Sequence, residues 1–131
     1  LTRNEDRRSN LKEVVEFANK TKADLLISIH YNSTENSQIS GTETYYFNPR
    51  SRKFAEIMHE TIIQGIKRKD RGLRRVPFYV IKNCVIPSVL LEPIYLSNPE
   101  ESNLAGSSDF QEEVANDIVK GVKVYFRSKS D

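Results

Sequence analysis

The run Leu25-Leu26-Ile27-Ser28-Ile29 limits the fold more than any other stretch of the chain. It is almost wholly apolar, starts after Asp24 and ends at His30. It is too short for a helix and too continuous for a strand with one wet face. A strand covered on both faces satisfies it, and such strands belong to sheets flanked by helices.

Three amphipathic stretches supply those helices. Leu11, Val14, Val15 and Ala18 recur at helical spacing over about Asn10 to Lys20, with Asn10 as N-cap and Glu13 three residues on. Phe54, Ile57, Met58, Thr61, Ile62 and Ile66 make a stripe over about Arg52 to Lys67. Ser51 can cap that helix, and Lys67-Arg68-Lys69 suits the negative end of its dipole. Phe110, Val114, Ile118, Val122 and Tyr125 make the buried face of a helix over about Asp109 to Tyr125, with Ser108 and Gln111 as a capping box.

Further strands are expected at Thr42 to Phe47, which alternates and is rich in Thr and aromatics, and at Phe78 to Ile81 and Val89 to Leu91. The pattern predicts one α/β domain over residues 1–131, a mixed sheet of about four to six strands flanked by three main helices. Two polar connections, Tyr31 to Ser40 and Pro93 to Ser107, are long enough to be functional. No apolar run approaches a membrane span. Twenty Lys and Arg against eighteen Asp and Glu leave a net charge of +2, too little to argue for nucleic acid. A lone cysteine, Cys84, excludes an internal disulfide and a Cys-rich zinc module, and its apolar neighbours make it a packing residue.

Histidine chemistry rests on His30 or His59. His30 closes the buried run, so it stands at the carboxyl end of a central strand, where open α/β sheets place their ligand crevice. His59 lies one position off the second helix's apolar stripe and reads as a boundary residue. Glu92 ends a second apolar strand, Pro87-Ser88-Val89-Leu90-Leu91-Glu92. A carboxylate there is either salt-bridged or a general base whose pKa rises by desolvation. The basic run Lys67 to Arg75 reads as a solvated helix end and turn, or as a contact for an anionic polymer or a peptide carboxylate.

Taken in order, these segments resemble the zinc-dependent N-acetylmuramoyl-L-alanine amidases of the Amidase_3 type. The resemblance runs through Leu1-Thr2-Arg3, Asp6, Leu11, Ala18-Asn19, Ala23-Asp24-Leu25 and Ser28-Ile29-His30-Tyr31-Asn32. It continues through Gly41-Thr42-Glu43-Thr44-Tyr45-Tyr46, Arg71-Gly72-Leu73, Phe78-Tyr79-Val80-Ile81 and Pro87 to Glu92. Leu96-Ser97-Asn98-Pro99-Glu100 and the helix to Tyr125 complete it. Each segment is weak, but the ordered set is specific and covers nearly the whole chain.

The resemblance implies an extracytoplasmic peptidoglycan hydrolase that cleaves the amide between N-acetylmuramic acid and the L-alanine of the stem peptide. It implies a zinc held by His, Glu and His, with His30 as the last ligand and Glu92 as the catalytic carboxylate. It makes Asn32 and Arg71 substrate-binding candidates, Arg71 through a bidentate contact with a stem-peptide carboxylate. Specificity is expected in the Tyr31–Ser40 loop, the Arg71–Arg75 turn and the Pro93–Ser97 segment. An activating partner or wall-binding domain outside this chain fits the same resemblance.

Three departures qualify it. The family's first two zinc ligands precede its Leu-Thr-Arg segment, and this chain begins at Leu1-Thr2-Arg3. The site is therefore expected to be incomplete here, with zinc held weakly or not at all by this chain. Glu92-Pro93-Ile94-Tyr95 stands where the family often has Glu-Leu-Gly-Phe, and Val14 where arginine is common. Two functional classes follow: the carboxyl-terminal portion of an amidase, or a non-catalytic wall-binding or regulatory remnant. His30 and Glu92 favour the first, since a scaffold needs neither.

Overall fold

The computed structural model describes Thr2 and residues 10–129. Leu1, Arg3 and Asp6, which open the family resemblance, lie outside the described residues. Strand β1 (Leu26–Ile29) forms from the apolar run, but at the edge of the described sheet and with Ile29 54% exposed rather than centrally and covered on both faces. Strands β2 (Thr42–Tyr46) and β4 (Ser88–Glu92) follow from two of the three other expected stretches. Strand β3 (Asp70–Arg75) completes a mixed sheet in the order β1-β4-β2-β3. β1 runs parallel to β4, β4 antiparallel to β2, and β2 parallel to β3.

Helices α2 (Arg52–Ile66) and α5 (Ser108–Arg127) cover one face of this sheet. Phe54, Ala55, Met58 and Tyr125 pack there against Val89 and Leu91 of β4. A second cluster joins Ile62 and Ile66 to Ile94, Phe110 and Val114. On the other face, α3 (Tyr79–Asn83) presses Ile81 against Tyr45 and Leu90. Helix α1 (Leu11–Lys20) packs against α3, and Asn19 is bonded to the Asn83 carbonyl and the Val85 amide.

Several local expectations need correction. Phe78 to Ile81 is not a strand. Phe78 is the extended N-cap of α3, and Val80 and Ile81 turn inward while Phe78 and Tyr79 stay exposed. A short apolar run does not separate strand from helix by periodicity. The Arg71–Arg75 turn lies inside β3, an edge strand whose only apolar residue is Leu73. The long connection after Pro93 contains α4 (Pro99–Ala105), capped by Asn98, whose side chain accepts from the Glu101 amide. The N-cap of α5 is Ser107 rather than Ser108. Ser51 does not cap α2 with its side chain; its hydroxyl accepts the Ser88 amide instead.

Candidate active site

Two parallel strands bring His30 and Glu92 together. Ile29 is paired with Leu91, and the His30 amide donates to the Leu91 carbonyl at 2.9 Å. The ladder therefore continues one residue past β1 and sets His30 abreast of Glu92. Paired residues on adjacent strands point to one face of a sheet. Pairing resumes between Asn32 and Tyr95. The β4 side thus carries one residue more than the β1 side between the two pairings, and the chain bulges there. Bulges of this kind re-aim side chains beside functional sites.

The His30 ring is exposed, and its Nε2 lies 2.7 Å from the Ser28 hydroxyl, two residues back on the same face. Partial burial lowers its pKa and favours the neutral imidazole. Glu92 is half-buried, and its Oε2 is buried without a hydrogen-bond partner among the described residues. Burial pushes the Glu92 carboxyl up, and the nearby Glu43 charge adds to the rise.

Glu43 stands directly across from Glu92 in the antiparallel β2–β4 pair. It is 3% exposed and surrounded by donors. The Tyr45 hydroxyl donates to it, as do Asn32 Nδ2 at 3.2 Å and Arg71 Nε at 3.3 Å. Arg74 Nη2 makes an ion pair with it at 3.2 Å. Burial pushes the Glu43 carboxyl up, but hydrogen bonds from Tyr45 and Tyr95 and the charges of Arg74 and Arg71 outweigh it and hold the carboxyl down. Asn32 and Arg71 thus reach the same face as Glu92, each engaged with Glu43. Arg71 also donates to the Ser40 carbonyl and lies 5.5 Å from the centre of the Tyr95 ring.

Glu101 fixes the loops around this face. Its fully buried carboxylate accepts from the Gly41 amide at 2.9 Å, the Tyr95 amide at 2.8 Å and Arg68 Nε at 3.1 Å. Nothing in the local sequence marks Glu43 as a hub, because its partners come from positions 32, 45, 71, 74 and 95. Asn98-Pro99-Glu100-Glu101 does carry a helix-start signal, with an N-cap residue, a proline at the first turn and acidic residues after it. His59 lies away from this cluster. Its Nδ1 is 3.0 Å from the Thr44 hydroxyl and its Nε2 3.0 Å from Asp70, so it ties α2 to β2 and β3.

The donors available to a metal are few. Among the described residues, no three His, Cys, Asp or Glu side chains gather into a metal-holding group. A catalytic zinc normally takes three protein ligands. The neutral imidazole of His30 suits one of them, and the described residues do not complete the set.

The chain matches the N-acetylmuramoyl-L-alanine amidase family model over residues 1–124. It is 36% identical over 129 residues to the uncharacterized protein YqiI of Bacillus subtilis (strain 168), covering 95% of this chain and 62% of that protein. It is 31% identical over 125 residues to the germination-specific N-acetylmuramoyl-L-alanine amidase of the same organism, covering 93% of this chain and 53% of that enzyme. The fold superposes on the catalytic domain of CwlV, an N-acetylmuramoyl-L-alanine amidase from Bacillus (Paenibacillus) polymyxa var. colistinus, with a TM-score of 0.93. Identity there is 40%, over 96% of this chain and 70% of that one. The chain spans about half to two thirds of the length of these curated relatives. With the ordered motifs, the sheet and the family match in agreement, the chain belongs to the N-acetylmuramoyl-L-alanine amidase family.

Proposed function

We propose that this chain belongs to a peptidoglycan amidase that hydrolyses the bond between N-acetylmuramic acid and L-alanine outside the cytoplasm. One observation carries the reading: His30 and Glu92 stand abreast at the carboxyl ends of neighbouring strands, and Glu92 Oε2 is buried without a partner. Buried carboxylate oxygens are mostly satisfied. Of the two unpartnered ones among the described residues, Glu92 Oε2 and Asp117 Oδ2, Glu92 is the one abreast of His30. A buried oxygen without a donor beside a strand-end histidine suits a group that handles a proton. In this reading, Glu92 takes a proton from the attacking water and passes it to the departing alanine amine. Its raised pKa brings it nearer the working pH, where acceptance and return of a proton are both feasible.

Asn32 and Arg71 frame the substrate side of the crevice in this reading, held in place by Glu43. Zinc enters as the family resemblance implies, with His30 as one ligand and the remaining ligands supplied from outside the described residues. A zinc so held supplies a polarised carbonyl and an acidified water. No helix among the described residues is long and apolar enough to cross a membrane. The alternative reading is a wall-binding or regulatory remnant of the fold without turnover.

The test is release of product by the full-length protein. Purified peptidoglycan is incubated with it in the presence of zinc, and new amino termini are labelled and identified. New L-alanine termini with intact glycan strands are expected. Binding to peptidoglycan without new termini would sink the hydrolase reading and leave the remnant.

A further inference from the structure

We infer that Arg74 is the anion-reading group of the substrate groove and receives a carboxylate of the substrate's peptide part, while Arg71 serves as an internal brace. This rests on the peptidoglycan reading above for the identity of the ligand. The arrangement of the two arginines supplies the rest.

Arg71 and Arg74 share one carboxylate, Oε1 of Glu43. Their surroundings differ. The Arg71 side chain is 23% exposed, and its guanidinium is occupied by Glu43, the Ser40 carbonyl and the Tyr95 ring. The Arg74 side chain is 50% exposed. Its bonds inside the protein leave from Nη2, to Glu43 and to the Arg71 carbonyl at 3.3 Å. A guanidinium has five N–H donors in a fixed fork. The Nε and Nη1 donors of Arg74 meet no acceptor among the described residues. Glu43 therefore holds the head in place from beneath without consuming its outward side. One carboxylate between two guanidinium groups also leaves one positive charge unmatched.

The sheet register puts this charge on the face of the sheet that carries the site. Arg74 pairs with Tyr45, and Tyr45 pairs with Leu90, so all three share the face that carries Glu43 and Glu92. Phe78 meets the other side of Tyr45, ring edge to ring face at 5.0 Å between centroids, and stays 39% exposed. The Arg74 backbone stands two strands from Glu92, but its guanidinium reaches back to Glu43, the residue directly opposite Glu92. A carboxylate read by Arg74 therefore sits on the β3 side of Glu92.

The experiment measures binding and turnover separately on the full-length protein. The probes are N-acetylmuramoyl-L-alanyl-glutamyl-lysine with free carboxylates and the same molecule with every carboxylate converted to a carboxamide. Calorimetry should show the acid form bound about tenfold more tightly than the amide form, as expected for a charge-assisted pair in partial contact with water. Arg74→Ala should abolish that preference while binding the amide form as before, and Arg74→Lys should restore part of it. Arg71→Ala should weaken both ligands alike, through the loosened Glu43 cluster. An acid preference that survives Arg74→Ala, one that disappears equally in Arg71→Ala, or none in the wild type overturns the assignment. A wild-type protein that prefers the acid through Arg74 but releases no amine keeps this inference and sinks the hydrolase reading.

Discussion

Glu43 and Glu92 stand opposite each other across two antiparallel strands, yet their surroundings drive their carboxyls in opposite directions. Glu43 is ringed by hydroxyl, amide and guanidinium donors that favour the anion. Glu92 has an oxygen with no donor at all among the described residues, and faces its neighbour's charge. Two carboxylates pushed apart in this way divide the work between them. Glu43 organises the face, and in the proposed mechanism Glu92 exchanges the proton.

Glu92→Gln in the full-length protein should lower kcat by about 10²–10⁴-fold, the usual contribution of a general acid–base group. Glutamine keeps the shape but cannot take the proton of water. The base works deprotonated, so the acid limb of the wild-type profile should lie above the ordinary carboxylate range, following the upward shift of Glu92. Steady-state rates against pH check both points. Rates within a few-fold of wild type would transfer the role to another group.

Glu43→Ala should destabilise the fold by about 1–3 kcal/mol, because it leaves the Tyr45 hydroxyl, Asn32 and two arginines without their shared acceptor. The pH dependence has a definite sign. A carboxyl held down in the folded state stabilises above its unfolded pKa, about 4.3 for glutamate. That stability is lost as pH falls through the lower folded value. Urea unfolding should therefore show the wild-type advantage over Glu43→Ala shrinking below about pH 4.3. An advantage independent of pH would assign the effect to packing.

The sequence carried β1 and β4 because each is an apolar run that ends on the residue of interest, His30 or Glu92; β4 owes its run to burial, whereas β1 stands at the edge of the described sheet with Ile29 54% exposed. It did not carry β3. That strand lies at the sheet edge, where Asp70-Arg71-Gly72-Leu73-Arg74-Arg75 can stay polar and still satisfy one ladder of backbone bonds. The basic run therefore looked like a turn. For the same reason Arg74 was indistinguishable from its neighbours until the register paired it with Tyr45. The Glu43 hub was equally hidden, since alternation marks which face a residue is on and not which distant loops converge there.

Asp117 on α5 offers a test away from the site. Its carboxylate is packed against Gly65 of α2, where an added Cβ would fall 1.6 Å from Oδ2, and that oxygen is buried without a partner among the described residues. Burial pushes the Asp117 carboxyl up, Glu113 adds to it, and Lys120 opposes both. A raised folded value means that the native state binds the extra proton, so stability falls as pH rises through that window. Asp117→Asn should then stabilise the protein by about 1 kcal/mol at neutral pH, the scale of one unpaired buried group. The gain should vanish in acid. A loss of stability at neutral pH would mean that the charge has a partner in solution.

Glu101 should be the least replaceable carboxylate of the molecule. It is fully buried, and its two oxygens accept from three donors: the Gly41 amide, whose one N–H is shared between both oxygens, the Tyr95 amide and Arg68 Nε. Gly41 ends the loop that follows His30, and Tyr95 lies just beyond Glu92, so one carboxylate ties both sides of the crevice together. Gly41 itself sits at φ +116° with the Lys69 carbonyl 2.3 Å from where a Cβ would be, so this backbone does not readily shift to find a new acceptor. Glutamine has one acceptor oxygen and would turn its own NH₂ toward a donor. Glu101→Gln should therefore cost nearly as much as Glu101→Ala, about 3–5 kcal/mol, as when one member of a buried charged pair is removed. Denaturant unfolding of the three proteins measures this. Glu101→Gln within about 1 kcal/mol of wild type, the scale of one ordinary hydrogen bond, would show that shape and not charge holds the two loops.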